Sequence, residues 1–550
     1  MLRLTEIKLP LDHLPEALPL AILTRLGIRA DQLVSVTVFK RGLDARKKSQ
    51  IQFIYTVDVA TTQDAALLAR LKSIDPHLAI TPDTNYRFVA HANDASRLRP
   101  VVIGTGPCGL FAALVLAQMG FKPLIVERGK KVRERTVDTW DFWRKSKFNP
   151  ASNVQFGEGG AGTFSDGKLY SQIKDPKHYG RKVLMEFVKA GAPPEILYVS
   201  KPHVGTFRLV KVVEHMRQQI EALGGEFRFS TQVSDIVIEH GHLRALVLDD
   251  GKTQETVRTD YAVLAIGHSA RDTFEMLHAR GVYVEAKPFS LGFRIEHPQN
   301  IIDQARYGPS AGHSMLGAAD YKLVHHAKNG RSVYSFCMCP GGTVVAATSE
   351  LGRVVTNGMS QYSRNERNAN AGIVVGITPS DFAEFATHLS PEDPLAGMQL
   401  QRFWEARAFE LGGSNYQAPG QLVGDFVNNR PSTAFGAVQP SYKPGVHPTD
   451  LSTSLPDYAI AAIREALPAF ERQIKGFFMQ EAVLTGVETR TSSPIRIKRH
   501  DHNYQSLNTQ GLYPAGEGAG YAGGILSAAV DGIKVAEALA LHMLQTASAS

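Results

Sequence analysis

Residues 101–117 read VVIGTGPCGLFAALVLA, and residues 124–128 follow as LIVER. This is a short apolar strand, a glycine turn, a helix, a second strand and an acid. The order is that of the first half of a dinucleotide-binding domain. Gly104 permits the tight turn out of the strand, Gly106 lets backbone approach a pyrophosphate, and Gly109 lets the helix pack close to the strand. The helix N-terminus offers free amides and a partial positive charge to phosphates. Glu127, about 20 residues on, ends the second strand, where a carboxylate can accept from ribose hydroxyls. The apolar run is nearly long enough to be mistaken for a membrane span. Its glycines, its proline and the strand that follows at once argue against that reading.

The chain has 550 residues, enough for two or three domains. Three cysteines give no disulfide framework and fit a reducing compartment. The N-terminal MLRLTEIK carries charges and no apolar core, which predicts no signal peptide and a cytoplasmic protein without a membrane partner. The net charge of +7 is modest for this length and suits a solvated surface better than a nucleic-acid footprint.

Residues 1–95 precede the glycine motif and need their own fold. Strands are expected at 2–8, 33–39, 51–59 and near 86–90, with helices at 14–26 and 65–71. This is the β-α-β-β-α-β order of a ferredoxin-like domain. Ile51, Phe53, Tyr55, Val57 and Val59 alternate onto one face, as in a core. The basic hairpin tip with Lys40, Arg41, Arg46, Lys47 and Lys48 could hold RNA, but solvation or docking on a neighbouring domain is the plainer reading.

Residues 149–168, NPASNVQFGEGGAGTFSDGK, interleave glycines with Phe156 and Phe164, which suits a loop that cradles a ligand rather than a linker. Residues 210–223 read as a helix, 226–229 as a strand, and 237–248 with 255–260 as a β-meander. The buried strand 261–267 then ends at Gly267, and Ser269–Asp272 reads as a capping box, with His268 and Ser269 serving the turn or a ligand. Between 286 and 504 the pattern becomes mixed, as in an inserted substrate domain. From 505 the chain returns with a strand, the turn Gly516-Glu-Gly-Ala-Gly-Tyr-Ala-Gly-Gly524-Ile525, a long helix and a loose tail from Gln545. The expected units are 1–95, 96–285 with 505–550, and 286–504.

These motifs in this order resemble the glutathione-reductase-type FAD-binding fold. More narrowly, the loop at 152–169, Phe336-Cys-Met-Cys-Pro-Gly-Gly and the 516–525 turn are similar to a family of uncharacterised bacterial FAD-dependent dehydrogenases over nearly the whole chain. The resemblance implies a flavoprotein oxidoreductase with FAD. It places Gly104, Gly106 and Gly109 at the pyrophosphate and Glu127, followed by Arg128, at the adenosine ribose. Val233 would face the adenine, and Gly160, Gly162 and Thr163 the flavin side of the pyrophosphate. Gly267 closes the middle strand beside the cofactor. Glu517, after Gly516, stands where the family more often has Asp and would hold the ribityl chain or a phosphate-bound water, while Gly524 and Ile525 would face the pyrimidine edge of the ring.

Catalytic candidates are few. Lys168 could approach the flavin or leave into solvent. Arg490 and Arg496 could clamp an anionic small-molecule substrate or pair with Glu488. Cys337 and Cys339 lie two apart on an apparent strand, sharing a face, as a redox relay or as core filling. No metal ligands occur at metal spacing. No second glycine motif marks a dedicated NAD(P)H domain. The expected function is hydride transfer with a small, anionic metabolite; the alternative is an FAD-containing RNA-modifying or RNA-binding protein.

Overall fold

The computed structural model describes residues 1–92, 98–386 and 393–549. The expected boundary at 95/96 lies outside the described residues. At its centre is a five-stranded parallel sheet. Its order is Leu512–Pro514, Ala262–Leu264, Val101–Ile103, Leu124–Val126 and Glu226–Arg228. The helix Pro107–Gln118 is buried from Cys108 to Ala117 between this sheet and the helix Ile525–Ala549, which explains why it is apolar all round. The expected loose tail from Gln545 is instead the last turns of that helix, as far as Ala549. The meander Gln232–Glu239, His242–Asp249 and Gln254–Arg258 forms a separate three-stranded sheet.

The N-terminal unit is an antiparallel sheet of order Leu33–Asp44, Gln52–Thr61, Leu2–Pro10, Leu78–Ile80, with helices Ala17–Leu26 and Asp64–Leu71. Ile51, Phe53, Tyr55, Val57 and Val59 are all buried, as their alternation requires. The last strand is Leu78–Ile80, not 86–90. Tyr86 leaves the unit and donates to Glu537 on the C-terminal helix at 2.9 Å. The basic hairpin docks at its base: Arg41 N–H donates to Tyr198 O at 2.6 Å and Ser200 N–H to Arg41 O at 3.0 Å.

Between Ala286 and Ile495 the chain builds a further sheet, of eight strands. Its centre is Ser332–Ala346, Asn368–Ile377, Phe289–Pro298 and Val483–Glu488, paired antiparallel. The connections to this unit pair with each other, Val284–Ala286 against Ile495–Ile497, so the insertion stands on a two-stranded stem. Among the described residues no helix is long and apolar enough to cross a membrane.

Candidate functional site

The glycine turn is built by exclusion. Gly104 has φ +96°, and a Cβ there would lie 2.4 Å from Ala265 O. A Cβ on Gly109 would lie 1.9 Å from Gly104 O, so the helix can meet the turn only through glycine. Gly106 is the N-cap, with Pro107 after it and no side-chain cap, which leaves first-turn amides for a ligand.

The loop at 149–168 lies against this turn. A Cβ on Gly160 would stand 2.7 Å from Gly106 Cα, and one on Gly129 would stand 2.5 Å from Gly157. Glu127 ties the pieces together. Its Oε2 accepts from Thr105 N–H and hydroxyl at 3.0 and 2.6 Å, and its Oε1 from Gly129 and Gly157 N–H at 2.9 and 3.0 Å. A carboxylate has about four acceptor positions, and here all are engaged. Behind the loop sits Arg135, fully buried, donating to Asn153 O, Val154 O and Glu158 O, each at 2.7 Å. Burial brings its pKa down to about 10, which still leaves it charged. Nothing in the local sequence singles out Arg135 for this task.

These elements wall a cavity of about 750 Å³, within the range of ligand pockets. Gly104, Gly106, Glu127, Arg128, Gly160, Gly162, Val233, Gly267, Glu517, Gly524 and Ile525 all line it. Arg128 lies 4.4 Å over the Phe156 ring and donates to Asp272 at 2.9 Å. Gly109 and Gly516 sit just behind the wall; a Cβ on Gly516 would stand 2.8 Å from Cys108 Cβ. The Thr163 hydroxyl is buried without a hydrogen-bond partner. The start of the C-terminal helix meets the loop where Gly162 faces Ile525.

Ser269 does not cap the helix Arg271–Ala279. Its hydroxyl donates to Gln155 Oε1 and accepts from Arg490 Nη1, both at 3.0 Å, so the expected capping box is absent. Neighbouring His268 is pushed down to about 3 by burial and by Arg490 and Arg271, and is therefore neutral. Its Nε2 stands 3.8 Å from Glu517 Oε1. Burial raises the Glu517 carboxyl to about 7, partly opposed by Lys287. The folded chain thus holds this proton from the ordinary 4.5 up to about 7. Stability of flavin-stripped protein should fall as pH rises through that window and level off above it. Glu517→Gln should remove this slope. Thermal midpoints measured across the window check it; equal slopes in both proteins would contradict it.

The insertion closes the far side of the cavity with Tyr321, Tyr334, Phe336, Cys337 and Asn357 in view, and Tyr170 joins them from the end of the glycine-rich loop. Sequence reasoning passed over the tyrosines, which stand far apart in the chain, and took Phe336 only as part of a motif. Lys168 does not leave into solvent. Its ammonium donates to Met338 O and lies 3.7 Å from Asp166. Burial pulls its pKa down, but Cys337, Cys339 and Asp166 outweigh that and hold it above the usual lysine value.

Arg490 reaches the cavity wall, but its donors are engaged: Nε and Nη2 bind Glu405 at 3.0 and 2.9 Å, and Nη1 binds Ser269 and Ser349. Its ion-pair partner is Glu405 rather than Glu488, which pairs with Arg294 at 2.7 Å. Arg496 lies off the cavity, 3.7 Å from Glu285. Cys337 lines the wall and Cys339 is buried behind it. They do not alternate as on a regular strand, because the register slips between Phe336 and Cys339.

Residues 98–283 match the pyridine nucleotide-disulphide oxidoreductase family, and 288–491 match the FAD-dependent protein, C-terminal domain-like family. Residues 1–60 match a domain of unknown function. An uncharacterised protein of Clostridium beijerinckii is 47% identical over 537 residues, 98% of each chain. Solved structures with some likeness include an E. coli quinol fumarate reductase (14% identical, 82% of this chain and 71% of that one, TM-score 0.35). Another is the 3-ketosteroid-Δ4-(5α)-dehydrogenase of Rhodococcus jostii RHA1 (12% identical, 82% and 99%, TM-score 0.35). The whole-length relative and the two domain matches show the family: the chain belongs to a family of uncharacterised FAD-dependent flavoproteins and is an oxidoreductase whose cofactor is FAD.

Proposed function

We propose that this flavoprotein is a dehydrogenase for a small, anionic metabolite, with FAD lying along the glycine turn and its ring facing the insertion. The observation that carries this reading is the single cavity shared by the nucleotide cradle and the insertion's sheet. FAD supplies the hydride acceptor; the chain's residues bind, orient and manage protons. The amides after Gly106 would meet the pyrophosphate, with Gly160, Gly162 and Thr163 on its other side. Val233 would offer backbone to the adenine, and Arg128 would border the ribose. Glu127 would hold the turn in shape for that contact. The amides at Gly524 and Ile525 would face the electron-rich edge of the reduced ring. Lys168 would anchor the anionic group of the substrate, since Arg490 is committed to Glu405 and Arg496 lies elsewhere. Glu517, with a proton near neutrality, would donate or accept it beside His268. The glutathione-reductase-type subtype, the ferredoxin-like class of the first unit and the three-part division of the chain belong to the same reading.

Against the RNA alternative, Phe53 and Tyr55, which an RNA platform would expose for stacking, are buried at 4% and 5%. The test is anaerobic bleaching of the flavin by a panel of small carboxylate and phosphate metabolites. Lys168→Met should retain FAD and lose reduction by the active compound. Bleaching by no member of such a panel, with FAD bound, would count against the reading. NADH and NADPH should reduce the flavin slowly, given the absence of a second glycine motif between 286 and 504. Rapid, saturable bleaching by micromolar pyridine nucleotide in a stopped-flow mixer would overturn that expectation.

A further inference from the structure

The Cys337-Met-Cys339 segment is not a strand in the ordinary sense. In a regular strand, residues two apart share a face but stand about 6.6 Å apart, two rises of about 3.3 Å. A disulfide needs Cβ atoms about 3.5–4.5 Å apart. A regular strand therefore keeps such a pair open. Here Phe336 pairs with Gly372 and Cys339 with Asn370, so three steps on one strand face two on the other. The extra residue forms a bulge, a device that re-aims side chains beside functional sites. Cys337 takes it up with φ +41°, in the left-handed region that a residue with a side chain rarely adopts. The curl brings Cys339 Sγ to 3.4 Å from Cys337 O, so the second sulfur folds back onto the residue that carries the first.

The bulge is pinned on both sides. Arg294 Nη1 donates to Cys337 O at 2.8 Å, and Lys168 donates to the next carbonyl, Met338 O. Gly358 makes room behind: a Cβ there would lie 2.8 Å from Cys339 Sγ. The hydrogen bond from Cys339, together with Lys168 and Arg294, holds the Cys337 thiol well below the usual thiol range despite burial. Cys337 faces the cavity and Cys339 is sealed behind it. One sulfur is thus placed to react and the other to resolve.

We propose that Cys337 and Cys339 are a redox-active pair that exchanges two electrons with the FAD of this cavity. The proposal rests on FAD binding here. When reduced flavin passes its electrons on, the S–S bond breaks, each sulfur gains a hydrogen, and FADH2 returns to FAD. The reverse step forms S–S from the two thiols and FADH2 from FAD. A short, bulge-borne C-x-C disulfide is strained, which favours electron flow from flavin to sulfur.

The experiment has two readouts besides turnover. Holoprotein is treated with the thiol oxidant diamide, quenched in acid, alkylated and digested. The peptide 332–353 carries both cysteines. It should appear unlabelled and two hydrogens lighter, and doubly labelled after chemical reduction. Oxidised holoprotein is then titrated anaerobically with dithionite. Wild type should take up about twice the reducing equivalents per flavin of Cys339→Ser or Cys337→Ser. Free thiols after oxidation would overturn the pair itself. A disulfide that forms but adds nothing to the titration would overturn exchange with FAD. Failure of FAD to bind at all would overturn both this step and the reading beneath it, and shows separately as a missing flavin absorbance while the peptide mass still reports on the thiols.

Discussion

Gly109→Ala should purify without its flavin. The new Cβ would stand 1.9 Å from Gly104 O and 2.9 Å from its carbonyl carbon, so backbone must move. The helix cannot retreat. On its other side a Cβ on Gly532 would already lie 2.2 Å from Cys108 O, so the C-terminal helix is in close contact there. Overpacking a tight site costs about 1–3 kcal/mol, roughly a tenfold to hundredfold loss if it falls on cofactor retention. Gly106→Ala separates shape from contact. Its Cβ meets nothing nearer than Gly160 Cα at 3.9 Å, and its φ of −66° suits alanine. This variant should keep the thermal midpoint of flavin-stripped wild type yet lose FAD, because the methyl stands where the pyrophosphate must approach. Flavin-to-protein absorbance ratios and thermal melts read both. A Gly109→Ala protein with full flavin and an unchanged melt would contradict the packing described.

Glu405→Gln should be the most destabilising of the charge changes. Glu405 is fully buried and accepts from Arg271 at 2.7 and 3.0 Å, Arg490 at 3.0 and 2.9 Å, and Thr489 at 2.9 Å. Breaking such a group from one side leaves buried guanidinium charge uncompensated, at a cost of about 3–5 kcal/mol. The cluster joins the nucleotide unit, through Arg271, to the insertion, through the helix Ala396–Leu411. The variant should therefore lose cooperativity between the two as well as stability. The pH dependence has a definite sign. Burial alone would raise the Glu405 pKa, but the two arginines overcome it and hold it far below its ordinary 4.5. Its contribution is then present above about pH 4.5 and is lost as acid drives the pH toward the folded value. Wild type should weaken steeply on that acid limb and Glu405→Gln less so. Parallel acid limbs in denaturant melts would show that the pair carries no such linkage.

What could be read in the sequence follows from how local each constraint is. Gly104, Gly106, Gly109 and Glu127 answer to one turn and its neighbours, and their spacing is visible in a single window. The alternation at 51–59 likewise predicts one buried face. Ser269 was legible as a cap or a ligand contact but not as the partner of Arg490, which is 221 residues away. Arg294 and Glu488 meet across 194 residues, and Arg271 and Glu405 across 134. A buried charge has no local signature; its partner is set by the sheet that brings the segments together. The strand expected near Tyr86 failed for the same reason, since those aromatics pack on Lys182 and Glu537 rather than on their own unit. At Cys337 a regular period of two predicted a shared face, and the bulge that changes it carries no sequence mark beyond the neighbouring glycines.

The central claim is that the cavity shared by the nucleotide unit and the insertion holds one FAD. The direct measurement is the flavin released from purified protein by heat or acid, separated by chromatography and quantified against protein. The account predicts yellow protein that releases FAD, not FMN, in equimolar amount and without a covalent remnant on the peptide. Colourless protein that FAD cannot reconstitute would contradict it.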